Sequence, residues 1–399
     1  MSTRKLVLSV DTGIDDALAL AALLGRDDLE IVGISCTYGN VLAEHALRNT
    51  QALLEVLQPD HQLPIVLGAT HPSWAATFLA DAGCAMFHGR NGLGDVDTCE
   101  YGAHTATPAI ASLDDEGRML AHTPQGMRYV DRDELAALAG VGVSIGGYAP
   151  SDRHAVLADG ATLDAATTAI NMNTTVEAPA QRTAGSELIA HAVRTWGPDV
   201  TVLATGPLTD VDTVLRLEPD LAERMNIVWM GGALTVPGNC YDLVSETNSI
   251  QDPEAANRVC MSGAQLSVVG LDVTHRCLMG ETIPQRWSAT GTAAGMLLAR
   301  LAEFSIRANR ASDAMFAAGM PLHDPLAALV AVEPDLVDLW TLPLGVQTHT
   351  GDWTGVRGRT VVDNARLNAP KAPHVRMAVN VHAQRSLDQF DLDVNRLLK

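Results

Sequence analysis

The chain has 399 residues, 47% of them hydrophobic and 19% charged, as is usual for a globular protein with a core. Asp and Glu total 47 against 27 Lys and Arg, so the formal net charge is -20. This excess of acid argues against a nucleic-acid-binding surface, because phosphate contacts need clustered Lys and Arg. Solubility alone explains the charge, which also fits a protein that handles a neutral small molecule or gathers cations.

The sequence carries no recognisable targeting or membrane segment. The first six residues run directly into an apolar strand pattern, and no apolar stretch reaches the roughly 18 residues that a membrane span requires. The six cysteines are scattered without a CxxC pair, which is typical of buried or free thiols rather than of a disulfide framework or a zinc site. We therefore expect a cytoplasmic protein that contacts no membrane.

The first part of the chain alternates β-rich runs with helical patterns. In chain order, the predicted elements are a strand at Lys5–Val10, a helix at Asp15–Leu24, a strand at Glu30–Cys36, a helix at Ala43–Leu57 and a strand at Pro64–Leu67. This spacing indicates βαβ units and hence a parallel sheet. In such sheets ligands gather at the carboxyl ends of the strands, and the loop after Val10 is such an end.

The alternation is interrupted from about residue 95 to residue 181 and then resumes. The interrupted part is polar and rich in Gly and Ala, with no convincing strand or helix, so we interpret it as an insertion that forms a lid or a surface elaboration. The whole chain, residues 1–399, is then predicted to be one large α/β domain with a mainly parallel, open sheet flanked by helices. Beyond the insertion the predicted elements are helices at Ser186–Trp196, Asp210–Leu217, Pro253–Met261, Ala293–Ala311 and Asp324–Ala331, and strands at Val200–Ala204, Met225–Trp229, Leu266–Leu271 and Arg357–Val362.

The segment DTGIDD, residues 11–16, places three carboxylates on a turn from a strand to a helix. Asp15 and Asp16 fall in the first helical turn, where the helix dipole favours acids, so helix capping is one interpretation. Asp11 lies on the strand side of Gly13, and that glycine allows a tight turn that brings Asp11 and Asp16 together. Converging carboxylates without nearby Lys or Arg repel each other unless a cation lies between them. Oxygen ligands of this kind suit calcium or magnesium rather than zinc.

Two further groups of polar residues occupy positions at which a site would be expected. His323 and Asp324 stand together at the start of a predicted helix, which alone is more typical of a helix cap than of a site. Asn239, Glu246 and Asn248 follow an apolar predicted strand and are able to hydrogen-bond sugar hydroxyls. A polar surface loop is an equally good interpretation of this second group taken alone.

Together these pieces resemble the inosine–uridine-preferring nucleoside hydrolase family. DTGIDD is similar to the family's DxDPGxDD signature, and the blocks that resemble the rest of the family follow in its order: TYGNV, HGRNGLGD, ATGPLTD, MGGA…GN…ETN…DPEAA, LDVTH, HDPLA and GRTVVD. The resemblance extends over the whole chain except about residues 95–181. It implies the nucleoside hydrolase fold, with its Rossmann-like open sheet, and hydrolysis of the N-glycosidic bond of a ribonucleoside.

The resemblance also implies a calcium site and a role for each matching residue. Asp11 would be the general base for the calcium-bound water, and His323 would be the leading candidate for protonating the leaving base. A homodimer or homotetramer is implied as well. The implied calcium ligands are Asp11, Asp16, the backbone carbonyl of Thr205 and Asp324, with water and the ribose 2′ and 3′ hydroxyls. The implied substrate-binding residues are Asp15 and Asn40 at the ribose face, Asn239, Glu246 and Asn248 at the remaining hydroxyls, Asp324, and His88 in the base pocket.

The chemistry itself requires residues of these types. Cleavage of a C1′–N bond passes through an oxocarbenium-like ribosyl cation, which nearby carboxylates stabilise. Calcium orients the attacking water and lowers its pKa. The departing base accumulates negative charge and benefits from a proton donor, which typically contributes about 10²–10⁴-fold.

The sequence departs from the family pattern at four positions and in the insertion. Ser9 and Thr12 replace an Asp and a Pro of the signature. Thr247 stands where an aromatic is common, and Asp210 replaces a usual Asn. The resemblance implies that Thr247 stands beside the 5′ end of the sugar and that the insertion follows the loop bordering the base pocket, so the departures together leave the leaving group open. A modified or larger nucleoside of a specialised pathway is one interpretation.

Three other functions are weighed against hydrolysis. A calcium-dependent ribosyl-binding protein without turnover stays open, although the complete set of Asp11, Asp16 and Asp324 argues against loss of activity. A phosphatase with Asp11 as nucleophile would need a second Asp where Gly13 stands. A dinucleotide-binding dehydrogenase would need a GxGxxG motif after the first strand. We therefore expect a hydrolase that acts on a small molecule.

Overall fold

Short apolar runs rich in Val, Ile and Leu form the strands, because such side chains pack well on a pleated surface. The computed structural model describes residues 3–59, 61–109, 111–138, 141–146, 180–349, 356–367 and 372–399. Within these ranges the strands are β1 (Arg4–Val10), β2 (Leu29–Cys36), β3 (Ile65–Leu67), β4 (Thr77–Leu79), β5 (Met119–Thr123), β6 (Gly126–Val130), β7 (Val143–Ile145), β8 (Val200–Ala204), β9 (Asn226–Met230), β10 (Gln265–Val269), β11 (Leu278–Met279), β12 (Met320–Pro321), β13 (Val337–Leu342), β14 (Leu344–Val346), β15 (Thr360–Val362) and β16 (Val375–Val381).

Most helices lie between strands and turn an apolar stripe towards the sheet. Among the described residues, no helix is long and apolar enough to cross a membrane. The helices are α1 (Ile14–Leu24), α2 (Ala43–Leu57), α3 (Ala82–His88), α4 (Arg132–Leu138), α5 (Ala184–Trp196), α6 (Thr209–Leu217), α7 (Thr247–Gln251), α8 (Pro253–Met261), α9 (Leu271–Thr274), α10 (Thr282–Ser288), α11 (Ala293–Ser312), α12 (Asp324–Val332) and α13 (Ala383–Leu397).

In the described part of the chain, eight strands form one central sheet in the order β13-β16-β10-β9-β8-β1-β2-β3. Neighbouring strands are parallel except at one edge, where β13 runs antiparallel to β16. Parallel neighbours need crossover connections, and helices supply them here. The arrangement confirms the predicted α/β class with a mainly parallel, open sheet flanked by helices.

The central sheet is buried on both faces. Leu6 and Leu8 of β1 belong to the core that includes α1 and α12, whereas Val7 belongs to the opposite core, which includes α5 and α6. All three side chains are at most 2% exposed, and burying each contributes about 1.5–3 kcal/mol relative to leaving it in water. Burial on both faces explains why these strands are continuous apolar runs rather than alternating patterns.

Most predicted elements agree with the structure to within a few residues, but two strand predictions need correction. The strand predicted to end at Leu271 ends at Val269, because Gly270 is the N-cap of α9. The segment predicted to close the sheet, Arg357–Val362, contributes β15, which pairs with β14 in a separate two-stranded sheet. The central sheet is completed instead by β16 and β13, which are both absent from the predicted elements.

A second sheet lies partly within the predicted insertion. Its order in the described residues is β6-β5-β4-β7, and β4 comes from the chain before the insertion. The interpretation that this part has no convincing strand or helix is therefore wrong for residues 119–138 and 143–145. These elements have only three to seven residues each, which is too short for a clear periodic pattern. The rest of the predicted insertion includes residues 147–179, which lie outside the described residues.

Candidate active site

The carboxyl ends of five neighbouring strands converge at one edge of the central sheet. β1 leads into Asp11, β2 into the loop with Asn40, β8 into Thr205, β9 into the loop 231–246, and β10 into α9. These strands are adjacent in the order β10-β9-β8-β1-β2, so the loops that follow them surround one space. Asp11, Asn40, Thr205, Asn239 and Glu246 therefore lie on neighbouring loops, whereas His88 and Asp324 come from α3 and α12.

Asp16 caps the first turn of α1 and also contacts the loop after β8. Its Oδ2 accepts a hydrogen bond from the backbone N–H of Gly13 at 2.9 Å, as in a capping box. Its Oδ1 accepts a hydrogen bond from the hydroxyl of Thr205 at 2.6 Å. The helix-capping interpretation is thus correct for one oxygen of Asp16, while the other oxygen connects two loops of the site.

Asp11 is completely buried and is held by Asn40. The backbone N–H of Asn40 donates to Oδ2 of Asp11 at 2.8 Å, and its side-chain amide donates to Oδ1 at 3.2 Å. A Cβ atom at Gly39 would lie 1.9 Å from Oδ2, so only glycine lets this loop approach the carboxylate so closely. Gly39 and Asn40 therefore fix the orientation of Asp11.

Asp15, Asp16 and Asp324 form a buried carboxylate cluster. Each offers one oxygen, and these oxygens lie within 4.8 Å of one another. Burial raises the pKa of Asp15 and of Asp16 to about 6. Burial, followed by the negative charges of neighbouring carboxylates, raises the pKa of Asp324 well above its usual value. Asp11 lies beside the cluster. Burial, and then the charge of Asp16, raise its pKa as well.

The cluster has the composition of a site for a hard cation. Among the described residues, Oδ1 of Asp15 is buried and has no hydrogen-bond partner. Carboxylates that raise one another's pKa must either keep protons or neutralise a cation. Carboxylate and backbone carbonyl oxygens are the ligands that calcium prefers, so the residues present fit this ion. The family resemblance implies a ribose-binding role for Asp15, and in the structure Asp15 also lies close enough to Asp16 and Asp324 to be a further ligand.

Glu246 and Asn248 lie at the start of α7 and are buried. Glu246 caps this helix by accepting from the backbone N–H of Asn248 at 2.9 Å, and it also accepts from the backbone N–H of Gly232 at 2.8 Å. Burial raises the pKa of Glu246 to about 7 despite these hydrogen bonds. The side-chain amide of Asn248 donates to the carbonyl oxygen of Thr205 at 2.8 Å. Both residues therefore hold together the backbone of two loops of the site.

Asn239 is exposed and lies beside the start of α7. Its side-chain oxygen accepts from the backbone N–H of Thr247 at 3.0 Å and from the Thr247 hydroxyl at 3.2 Å. The thiol sulfur of Cys240 lies 3.7 Å from the same hydroxyl. Thr247, the position where the family commonly has an aromatic, thus contacts Asn239 and Cys240.

His323 precedes Asp324 and is held by Thr274. Its Nδ1 lies 2.8 Å from the Thr274 hydroxyl, and its ring packs edge-on against His275 with 5.6 Å between the centroids. Burial and then the neighbouring His275 and His88 lower the pKa of His323 well below its usual value. The Thr274 hydroxyl can donate to or accept from Nδ1, depending on the tautomer of the ring, and Nε2 takes no part in this contact. The sequence prediction missed Thr274 and His275, for which the LDVTH block is the available signal.

His88 is the last residue of α3 and lies next to Asp15. Its Nδ1 accepts from the backbone N–H of Ile14 at 3.2 Å and lies 3.6 Å from Oδ1 of Asp15. Burial lowers the pKa of His88 to about 4. A Cβ atom at Gly13 would lie 2.5 Å from this Nδ1, so the glycine of DTGIDD makes room for the ring.

Two positions that depart from the family pattern have defined partners in the structure. The hydroxyl of Thr12 lies 2.7 Å from that of Thr50, which attaches the DTGIDD turn to α2. Asp210 is fully buried and accepts from the hydroxyls of Ser35 at 2.9 Å and Thr183 at 2.6 Å. The contact of Thr12 joins the DTGIDD turn to α2. The contacts of Asp210 join the start of α6 to β2 and to the residue before α5, so both residues have structural roles.

Comparison with known proteins extends these observations. A sequence model described as inosine-uridine preferring nucleoside hydrolase matches residues 6–388. The chain is 28% identical over 388 residues to the pyrimidine-specific ribonucleoside hydrolase RihA of Salmonella gallinarum, and the match covers 96% of each protein. It is 30% identical to the solved purine-preferring ribonucleoside hydrolase from Gardnerella vaginalis, with a TM-score of 0.73 over 99% of each chain. A plant nucleoside hydrolase, PpNRh1, shares the fold at 21% identity, with a TM-score of 0.67 over 98% of each chain.

These matches span nearly the whole chain, and they confirm the family resemblance and the predicted fold. They also confirm the predicted enzyme class, a hydrolase that acts on N-glycosyl compounds. Every block on which the resemblance was based lies within the described residues. The chain belongs to the inosine-uridine preferring nucleoside hydrolase family.

Proposed function

We propose that this chain hydrolyses the N-glycosidic bond of a ribonucleoside to free base and ribose, and that it requires calcium to do so. The observation that carries the proposal is the buried cluster of Asp15, Asp16 and Asp324, with Asp11 beside it, at the carboxyl ends of the central strands. Family membership supports the reaction, and the oxygen-rich composition of the cluster supports the metal.

The proposed calcium ligands are Asp11, Asp16, Asp324 and the backbone carbonyl of Thr205. The Thr205 carbonyl accepts one hydrogen bond from Asn248, and a carbonyl oxygen has a second lone pair to offer. The Thr205 hydroxyl also orients Asp16 by donating to its Oδ1. When bound, calcium would orient the attacking water and lower its pKa.

Asp11 is the proposed general base. Two N–H groups of Asn40 hold its carboxylate in one orientation, and its burial favours the protonated form. Asp11 would take a proton from water as the water oxygen attacks C1′ and the C1′–N bond breaks. The neighbouring carboxylates would stabilise the positive charge that develops on the ribosyl ring.

The other polar side chains of the site are proposed to bind the ribose hydroxyls. Oδ1 of Asp15 supports this role, because a buried oxygen without a hydrogen-bond partner in the described structure can accept from a hydroxyl. Glu246, with a pKa of about 7, can accept from or donate to a hydroxyl near neutral pH. The proposed ribose-binding residues are Asp15, Asn40, Asn239, Glu246, Asn248 and Asp324.

His323 is proposed to protonate the leaving base, and His88 to line the base pocket. The contact with Thr274 supports this role, because in the protonated ring Nδ1–H would donate to the Thr274 hydroxyl and Nε2–H would be the proton that passes to the base, which leaves a neutral ring. Negative charge that develops on the departing base favours the protonated imidazole and so offsets the effect of burial.

The leaving group is proposed to be the base of a modified or larger nucleoside. The relatives named above are pyrimidine-specific in one case and purine-preferring in another. Two features of this chain support a different substrate. Thr247, which contacts Asn239 and Cys240, stands where the family commonly has an aromatic, and β5, from the predicted insertion, contacts the start of α2. There His122 bonds to Glu44 at 2.7 Å.

Two features of organisation also stay proposals. One domain would span residues 1–399, with an insertion at about 95–181, and the protein would form a homodimer or homotetramer. Sedimentation of the purified protein would test the proposed assembly.

The proposed function is tested by measuring release of free base and ribose from purine, pyrimidine and modified nucleosides. We expect the wild type to cleave at least one of them and Asp11→Asn to lower kcat for that substrate by about 10²–10⁴-fold. Asp27→Asn, at an exposed carboxylate away from the site, is the matched control and should keep wild-type activity.

Two results would overturn the proposal. Wild-type turnover by Asp11→Asn would exclude Asp11 as the general base. A wild-type protein that binds calcium and ribose but cleaves no nucleoside of the panel would support the alternative, a calcium-dependent ribosyl-binding protein without turnover.

A further inference from the structure

The loop between β9 and α7, residues 231–246, is attached to a distant part of the chain; we call it the rim loop. The guanidinium of Arg359 donates hydrogen bonds to three of its backbone carbonyls. The acceptors are Leu234 at 2.8 Å, Val236 at 2.9 Å and Val244 at 2.7 Å. Arg359 belongs to the GRTVVD block, to which the sequence analysis assigned no role.

The same block also contacts both ends of the rim loop. The hydroxyl of Ser245 donates to the backbone carbonyl of Arg357, near the end of the loop. A Cβ atom at Gly232 would lie 2.5 Å from the hydroxyl oxygen of Thr360, near its beginning. Just beyond the loop, the hydroxyl of Ser249 donates to the carbonyl of Gly358 at 2.7 Å. Residues 357–360 therefore contact both ends of the rim loop, at residues 232–236 and 244–245.

Arginine is well suited to this attachment. Its planar guanidinium presents five N–H donors in a fixed fork, whereas the single ammonium of lysine cannot reproduce that geometry. The rim loop contains no strand or helix, so its backbone carbonyls find no partners in regular structure. Arg359 supplies partners for the carbonyls of Leu234, Val236 and Val244, so the shape of the loop at both ends depends on it.

We infer that Arg359 is a positioning residue for substrate binding, which holds the rim loop in the shape that presents Asn239 and Glu246 to the ribose. The inference rests on the proposed function, in which those two side chains bind sugar hydroxyls. Arg359 uses its donors on backbone carbonyls, and the inference assigns it no contact with the substrate.

The test compares Arg359→Met and Arg359→Lys with Arg366→Met. Arg366 is a matched control, because it also donates to a backbone carbonyl, that of Leu344 at 2.9 Å, but outside the rim loop. Amide hydrogen exchange would be followed in residues 233–246, and kcat and KM would be measured with a nucleoside that the wild type cleaves.

We expect Arg359→Met to exchange faster in the rim loop and to raise KM on the order of 10-fold, with a smaller effect on kcat. Arg359→Lys should recover part of the loss, because it keeps the charge and one donor group. Arg366→Met should match the wild type in both measurements. If Arg359→Met does not fold, the same two measurements are made on Arg359→Lys and on Ser249→Ala, which removes the hydrogen bond to the carbonyl of Gly358.

Wild-type exchange and wild-type KM in the Arg359 variants would overturn the inference. Faster exchange with an unchanged KM would overturn it as well, because the loop would then be attached by Arg359 without serving the substrate. If the wild type cleaves no nucleoside, the proposed function fails separately, and the exchange data alone decide whether Arg359 shapes the loop.

Discussion

At the residue scale, the site is defined by four buried carboxylates. Burial raises the pKa of Asp11, Asp15, Asp16 and Asp324, and neighbouring carboxylates raise several of these values further. Hydrogen bonds from Asn40 and other donors offset only part of this effect. A divalent cation bound by these oxygens would stabilise their ionised forms, so we expect calcium binding to release protons.

Replacing His323 by Gln should slow the cleavage of natural nucleosides far more than the cleavage of a substrate whose leaving group needs no proton donor. We expect kcat for a cleaved nucleoside to fall by about 10²–10⁴-fold, because the base must leave without protonation. With 4-nitrophenyl riboside, whose leaving group is already a stable anion, the loss should stay below about 10-fold. Steady-state kinetics on both substrates checks this, with exposed His61→Gln as the control. Equal losses on the two substrates would exclude the proposed acid role.

Sequence reasoning located the residues that stand close together in the chain but not the contacts between distant blocks. Asp11 and Asp16 share one short turn, so their convergence could be predicted from the turn itself. The contact of Thr274 with His323, and the attachment of the rim loop to Arg359, join segments far apart in the chain. Their relative positions depend on how the whole sheet packs, which no local pattern contains.

At the element scale, the connection from β2 to α2 brings the backbone of Gly39 and Asn40 against the carboxylate of Asp11, which follows β1. Gly39 lies directly beside Asp11, and the next residue, Asn40, supplies both hydrogen bonds that orient it. α2 then begins at Ala43 and fixes the loop against the core. The loop is therefore a mostly buried part of the site rather than a surface connection.

Gly39→Ala should reduce activity strongly, because its new methyl group would lie 1.9 Å from Oδ2 of Asp11 and must displace it. A displacement of about 1 Å at a reacting group typically costs about 10²-fold, so we expect kcat/KM to fall at least that much. Gly117→Ala is the control: its Cβ atom would meet nothing within 4 Å, although its φ of +73° strains alanine. That variant should lose some stability and keep its activity. An active Gly39→Ala protein would show that the loop yields without moving Asp11.

The elements that could be predicted are the long or fully buried ones. The helix at Ala43–Leu57 has the same bounds in prediction and structure, because its apolar stripe is regular over four turns. The strands β4 and β7 have three residues each and carry too little pattern to be recognised. The hairpin of β14 and β15 was missed because a short strand does not reveal its partner.

At the scale of the whole molecule, the order of elements predicts one parallel sheet. The packing of α13 against α1 depends on contacts between segments that lie far apart in the chain. α13 packs on α1, and a Cβ atom at Gly25 would lie 1.9 Å from the backbone oxygen of Asp393. Arg26 forms an ion pair with the fully buried carboxylate of Asp393 at 3.1 Å. Such contacts between opposite ends of the chain have no signature in local sequence.

Acid should destabilise the fold in part through His45, which is 5% exposed on α2. Burial and then Arg48 lower its pKa to about 4, against 6.5 for the ordinary residue. Between these values the folded protein binds fewer protons than the unfolded chain, so this contribution to stability is present above pH 6.5 and lost as pH falls towards 4. The buried carboxylate of Asp212, with a pKa of about 6, acts in the opposite direction.

His45→Gln isolates the contribution of this histidine. Chemical denaturation at pH 7 and pH 4 should show that the variant loses less unfolding free energy than the wild type, by on the order of 2 kcal/mol. The exposed His61→Gln should lose as much as the wild type. If His45→Gln and the wild type lose stability in parallel, the acid sensitivity of the fold lies elsewhere.

The most direct test of the account is nucleoside cleavage by the wild-type protein before and after complete removal of divalent cations, with the metal content verified. We predict that chelation abolishes the release of ribose and that added calcium restores it, because the buried carboxylates need a cation to hold the site in its ionised form. Cleavage that continues at the same rate without any bound metal would contradict the account.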